Sequence, residues 1–228
     1  MKANNKGLSE SGFTLVEIAI VLVIIGLLLG GILKGQEMIT QAKIKNVIND
    51  FNGVTAAVNS YQDRYRALPG DDATADGRWS TQGAVKGDGD GAIKGKYNNN
   101  LGGAAPATAN ESNLFWWHLR LGGFVPGSVS ATAGAGNQPP NATNGIIGVQ
   151  SSTAGLNNLG FSSNIVCSSN LPDKIAIAVD TQMDDGTPAA GELRGALQTA
   201  PSPDVPAASG VTSYQEAGQN QYLLCKNL

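Results

Sequence analysis

The sequence predicts an α+β protein. One long N-terminal helix, membrane-like in its first half and amphipathic in its second, packs on a C-terminal antiparallel sheet joined by long Gly-rich loops. Three observations lead to this. Phe13 to Leu33 is an apolar run broken by a single acid, Glu17; at roughly 21 residues it matches the length that crosses a bilayer as a helix. Beyond it, Ile44, Val47, Phe51, Val54, Val58, Tyr61, Tyr65 and Leu68 recur in alternate steps of three and four residues, an apolar stripe on one helix face. Short β-branched and alternating segments collect in the last third of the chain.

Residues 1–12 read as a leader carrying Lys2 and Lys6, which places the N-terminus in the cytoplasm by the positive-inside rule. Residues 13–33 read as the membrane helix and 34–68 as its amphipathic continuation, with Lys43, Lys45, Asn46, Asn49, Asp50, Asn59 and Asp63 off the stripe. No proline interrupts Phe13 to Leu68, and Pro69-Gly70 ends the helix, which would then be about 80 Å long at 1.5 Å per residue. Gly26 and Gly30 form a GxxxG pair, a spacing that permits close approach of a second helix. Residues 69–228 form the head. Within it, 70–113 reads as a long glycine- and aspartate-rich excursion and Glu111–Leu121 as a short helix with Asn110 as its cap. Residues 127–160 read as surface loop with a strand at 146–149. Strands are expected at 164–167, 174–180, 193–198 and 221–225.

The run Gly12-Phe13-Thr14-Leu15-Val16-Glu17, after a short charged leader and ahead of a membrane-length apolar segment, resembles the processing site of the type IV pilins and type II secretion pseudopilins. The resemblance implies cleavage between Gly12 and Phe13, N-methylation of Phe13, and retention of Glu17 for assembly. It also implies a pilin-like fold. The implied partners are a prepilin peptidase/methylase, other pilin subunits, and the inner membrane before assembly. The implied location is a single-pass inner-membrane protein that becomes a periplasmic or extracellular filament. Many major pilins carry a proline in the region occupied here by Gly30 to Lys34. Its absence, with a large glycine-loop-rich head, favours a minor pilin or pseudopilin. The alternative is a membrane-anchored exported binding or adhesion module, calcium-dependent in one version.

Composition narrows the chemistry. A net charge of −3 offers no basic patch for phosphate neutralisation, so no nucleic-acid partner is expected. Charged residues make up 14% and glycines number 30, which suits a loop-rich extracytoplasmic domain. Cys167 and Cys225 are read as one disulfide in an exported domain, against two buried thiols. No catalytic constellation is expected: His118 is the single histidine, no Walker spacing occurs, and the cysteines lack CxxC spacing. The one cofactor considered is calcium. Asp88 and Asp90, in Gly-Asp-Gly-Asp-Gly-Ala-Ile, resemble the middle of a calcium loop, with Asp71, Asp72 and Asn98 as helpers. Lys86 stands where the first acid belongs, and the other reading is a glycine–aspartate turn. Asp180, Asp184 and Asp185 are read as a turn or a second metal loop. Trp79, Trp116 and Trp117 are read as core or a binding surface.

Overall fold

A computed structural model describes residues 14–99, 101, 110–131, 134–152 and 156–228. The chain divides into two compact units, one ending at Gln41 and one running from Ala42 to Leu228. Helix α1, Leu15–Tyr65, contributes to both. From Ile18 through Leu33 it carries no charged side chain, and Leu15, Leu22, Leu27 and Leu33 are all exposed.

From Ile44 onward α1 becomes one-sided. Ile44, Val47, Phe51, Val54, Ala57, Val58 and Tyr61 are buried, as the stripe requires. The helix ends two to three residues before the expected stop. Arg66 takes a left-handed conformation (φ 56°), its N–H donates to Gln62 O at 2.8 Å, and Pro69 follows. Disfavoured α geometry before a proline adds to this stop.

The sheet has the order β1-β2-β4-β3, from Ile147–Ser151 (β1), Asn164–Pro172 (β2), Leu193–Leu197 (β3) and Gln221–Asn227 (β4). All pairings are antiparallel, and a register irregularity falls between Ser168 and Leu171. Successive strand residues point to opposite faces, and both faces are covered. Val149, Val166, Leu193, Tyr222 and Leu224 pack in one core with the α1 stripe, Phe115, Trp116, Leu119, Ile175 and Val179. Ile165, Cys167, Ala196, Leu223 and Cys225 pack in another with Tyr97, Leu159 and Val205. The Cys167–Cys225 disulfide lies in this second core and joins directly opposed residues of β2 and β4.

Residues 173–183 depart from expectation. Asp173–Met183 is a helix, α4, not a strand at 174–180. The alternation Ile175, Ile177, Val179 reads as period two. The buried set is Ile175, Ala176, Val179 and Asp180, which is period 3.6, and the intervening alanines are strong helix formers. Pro172 stands just ahead of α4, where no intrahelical N–H is required. Helix α3 spans Glu111–Leu121 as expected, although Asn110 makes no side-chain capping bond. The excursion after α1 contains a short helix, α2 (Ala75–Arg78), and a 3₁₀ turn at Ser80–Gln82.

A polar joint fixes this excursion to α1 and α3. Tyr61 donates to Asp72 Oδ2 (2.7 Å), and the Arg78 guanidinium pairs with the same carboxylate while lying 4.3 Å from the Tyr65 ring centroid. Burial alone would push Asp72 up, but Arg78, Tyr61 and Thr74 hold it at about 2. Gly70 N–H donates to His118 Nδ1 (3.0 Å), which places the ring proton on Nε2 facing Val85 O at 2.7 Å. Gly70 has φ 88°, and a Cβ there would meet Glu111 O at 2.6 Å, so only glycine lets the loop approach α3 this closely. Trp116 and Trp117 are buried core residues, while Trp79 is partly exposed in the joint.

Two outcomes follow. Burial lowers the His118 pKa below its ordinary 6.5, so the neutral ring stabilises the fold fully above that pH and progressively less below it. The stability difference between the wild-type chain and His118→Gln should shrink below pH 6.5, by up to about 1.4 kcal/mol per pH unit. Urea midpoints at pH 7.5 and 5.5 measure it, and parallel pH profiles for the two proteins would contradict it. Replacing both Cys167 and Cys225 by alanine should cost the head about 4 kcal/mol in the chain-entropy picture, read as a lower urea midpoint with a steeper slope, because the unfolded chain loses its cross-link and expands.

Candidate functional site

The start of α1 is held by a reciprocal cap. Thr14 N–H and Thr14 Oγ–H both donate to Glu17 Oε2 (2.9 and 2.7 Å), and Glu17 N–H donates back to Thr14 Oγ1 (3.2 Å). This is the S/T-x-x-E capping box, in which two N–H groups that would otherwise be orphaned at a helix start are satisfied at once. Glu17 therefore has a local partner at the head of an uncharged segment, and its negative charge sits at the positive end of the helix dipole. Glu17 was expected to matter as a carboxylate in an apolar run. The role of Thr14 was missed, although the Thr-x-x-Glu spacing stood in the sequence. Gly12 and Phe13 lie outside the described residues, as does the whole of 1–12.

Downstream of the cap, an 18-residue window reaches a mean hydropathy of 2.8 and none of it is buried. A Cβ added at Gly26, Gly30, Gly31 or Gly35 would meet nothing within 4 Å, so these positions are open to a second helix. Apart from Glu17, α1 carries no charge before Lys34.

The glycine–aspartate loop is organised around a carboxylate. Asp71 accepts from the N–H groups of Gly89 (2.6 Å), Asp90 (3.1 Å) and Gly91 (2.7 Å). Glu111 accepts from Asp88 N–H (3.1 Å) and Lys94 N–H (2.9 Å). Lys94 Nζ bridges the exposed Asp88 and Asp90 side chains. Asp71, Asp88 and Glu111 each place an oxygen within 4.8 Å of the others, and every one of these carboxylate oxygens already accepts an N–H. Backbone donors thus point into the loop, the polarity of an anion nest, whereas a calcium loop turns oxygens inward. Burial pushes Asp71 up, against the pull of the three N–H groups. Of the expected helpers, Asp72 is committed to Arg78 and Tyr61, and Asn98 donates to Ser202 O and Asp204.

Asp180, Asp184 and Asp185 come together after α4. Asp180 accepts from Tyr214 Oη and Gly186 N–H, Asp184 from Leu193 N–H, and Asp185 from Thr187 N–H. These bonds build the turn that leads into β3. His118 is fully buried in the joint.

The described residues thus comprise an α+β head and, at the start of α1, a bare apolar stretch capped by Thr14–Glu17 and long enough to cross a membrane. Residues 8–33 match the family model described as the prokaryotic N-terminal methylation motif, so the chain carries the N-terminal signature of the type IV pilins and pseudopilins. The motif points to a structural protein rather than a catalyst, and to a single-pass inner-membrane anchor. No curated protein and no solved structure gives a significant match to the chain.

The loop geometry has its own test. Asp71→Asn turns an amide N–H₂ toward backbone donors and should destabilise the head by about 1–3 kcal/mol. Thermal unfolding measures this, and an unchanged midpoint would remove Asp71 as the organising group of the loop.

Proposed function

We propose that the chain is a filament subunit. A prepilin peptidase cuts between Gly12 and Phe13, Phe13 is N-methylated, residues 13–33 hold the subunit in the inner membrane, and Glu17 guides assembly with other subunits. Helix α1 continues to Tyr65, and its part from Ala42 onward belongs to the head. Lys2 and Lys6 keep the leader cytoplasmic and the head on the far side. The observation that carries this reading is the bare apolar surface from Ile18 to Leu33 directly after a capped glutamate, within the span matched by the methylation motif. The missing shaft proline and the large loop-rich head favour a minor pilin or pseudopilin.

Electrostatics supply the mechanism. A lone carboxylate at the centre of a membrane helix costs about 2.5–3.5 kcal/mol. The Thr14 hydroxyl and amide offset part of this in the single subunit. Cleavage creates an amine at Phe13, four residues before Glu17. When apolar helices bundle, the amine of one subunit can neutralise Glu17 of the next, and a neighbour out of register leaves one charge unpaired. The apolar contact supplies attraction, and the pair supplies register.

Intact mass and N-terminal sequencing of sheared surface filaments test the assignment. The expected chain starts at N-methylated Phe13. Glu17→Ala should be processed normally yet lower filament yield by more than about tenfold, and Gly12→Leu should accumulate uncleaved. Normal filament yield from Glu17→Ala would end the assembly role, and efficient cleavage of Gly12→Leu would end the processing site.

A further inference from the structure

Asp50 lies on α1 at the edge of a cleft of about 300 Å³ formed with Gly53, Trp116, Phe124, Val125 and Pro140. Its surroundings are unusual for this head. The other acids described above accept hydrogen bonds from named donors, but the half-buried Asp50 carboxylate has no hydrogen-bond or ion-pair partner among the described residues. Burial pushes its pKa up, which marks a desolvated charge that the chain itself does not answer. The cleft wall beside it is apolar, with Phe124 and Val125 part-buried and Pro140 exposed. Trp116, which lines the cleft at 1% exposure, has an indole N–H with no acceptor among the described residues. A buried polar group without a partner is costly, and the half-buried Asp50 carboxylate, unlike the enclosed indole, is within reach of a complement from outside the chain.

We propose that this cleft is a contact between copies of the chain: the apolar edge of a neighbouring head covers Phe124, Val125 and Pro140, and a lysine or arginine of that neighbour pairs with Asp50. Charge complementarity selects the occupant. Lys43, Lys45 and Lys174 are cations for which the described residues provide no acidic partner, so a second copy can supply what Asp50 lacks. The inference rests on the filament reading above, because Asp50 belongs to the same continuous helix whose apolar segment bundles with neighbours. A charge pair closed off from water at such a contact contributes specificity and slows dissociation.

The experiment uses the full-length chain in cells that produce it. Benzoylphenylalanine at the exposed Asn49, on the cleft rim, should give on irradiation of filaments an adduct of two copies of this chain. Asp50→Asn should lower filament yield about tenfold, the loss of one desolvated pair, without lowering the subunit's unfolding temperature. A purely structural role for Asp50 would instead lower that temperature. Gly53→Trp fills the cleft from an exposed helical position where a Cβ meets nothing within 4 Å, and it should abolish the adduct while leaving the subunit folded. Filaments without a self-adduct, an adduct only to a different protein, or normal filament yield from both variants would overturn the contact and leave the filament reading standing. Absence of filaments from the unaltered chain would overturn both.

Discussion

Most of this structure depends on one helix meeting two environments. Helix α1 is apolar on every side through Leu33 and on one side from Ile44. An all-round apolar surface of that size is not left in water, because each buried aliphatic side chain is worth about 1.5–3 kcal/mol. It belongs in lipid or against other helices. The one-sided half needs a partner within the chain, and the sheet with α3 and α4 provides it. The head is thus built on the distal part of α1, and Val47, Phe51, Val54 and Val58 are as much the core of the head as the strands are.

The sheet lies between two cores of different character. The core on the α1 side is large and built from helices and strands together. The other is small and is closed by loop residues, Tyr97, Leu159 and Val205, over the disulfide. Tyr97 reaches this face because its N–H donates to Gln150 Oε1 (3.0 Å) and its hydroxyl to Pro203 O (2.7 Å). A face covered by loops buries less apolar area than one covered by helices, and a covalent bond between central strands compensates where packing is thinnest.

Sequence made the long-range plan legible and the local choices less so. The α1 stripe was readable because its period persists over many turns, and α3 because a polar start and a double-glycine end frame an apolar face. The disulfide followed from the two cysteines of an exported domain. Residues 174–180 read as a strand because the five residues Ile175 to Val179, alternating isoleucine, alanine and valine, satisfy either period, and only tertiary contact, with Ala176 and Asp180 turned inward, decides it. The Thr14 cap has a readable Thr-x-x-Glu spacing, whereas the cost of a carboxylate in an apolar run points to Glu17 alone. The Asp71 nest had no local signal at all, since its donors lie some twenty residues away and become neighbours only once α3 and the loop are in place.

Electrostatic satisfaction separates the head from α1. Inside the head, the buried acids named above are answered by groups of the same chain: Asp72 by Arg78 and Tyr61, Asp71 by three amides, Asp180 by Tyr214. The buried Arg120 guanidinium donates to the carbonyls of Pro126, Gly134, Ala135 and Asn137. On α1 the pattern differs. Among the described residues Glu17 has the two donors of its own helix start, and Asp50 has none. A buried or membrane-embedded carboxylate kept without a full set of partners weakens the isolated subunit. In the proposed filament the same incompleteness favours whichever neighbour supplies the missing cation, so stability forgone in the monomer would become selectivity for one register of assembly. The residues that leave the subunit incomplete alone are then the ones that would direct where it joins the proposed filament.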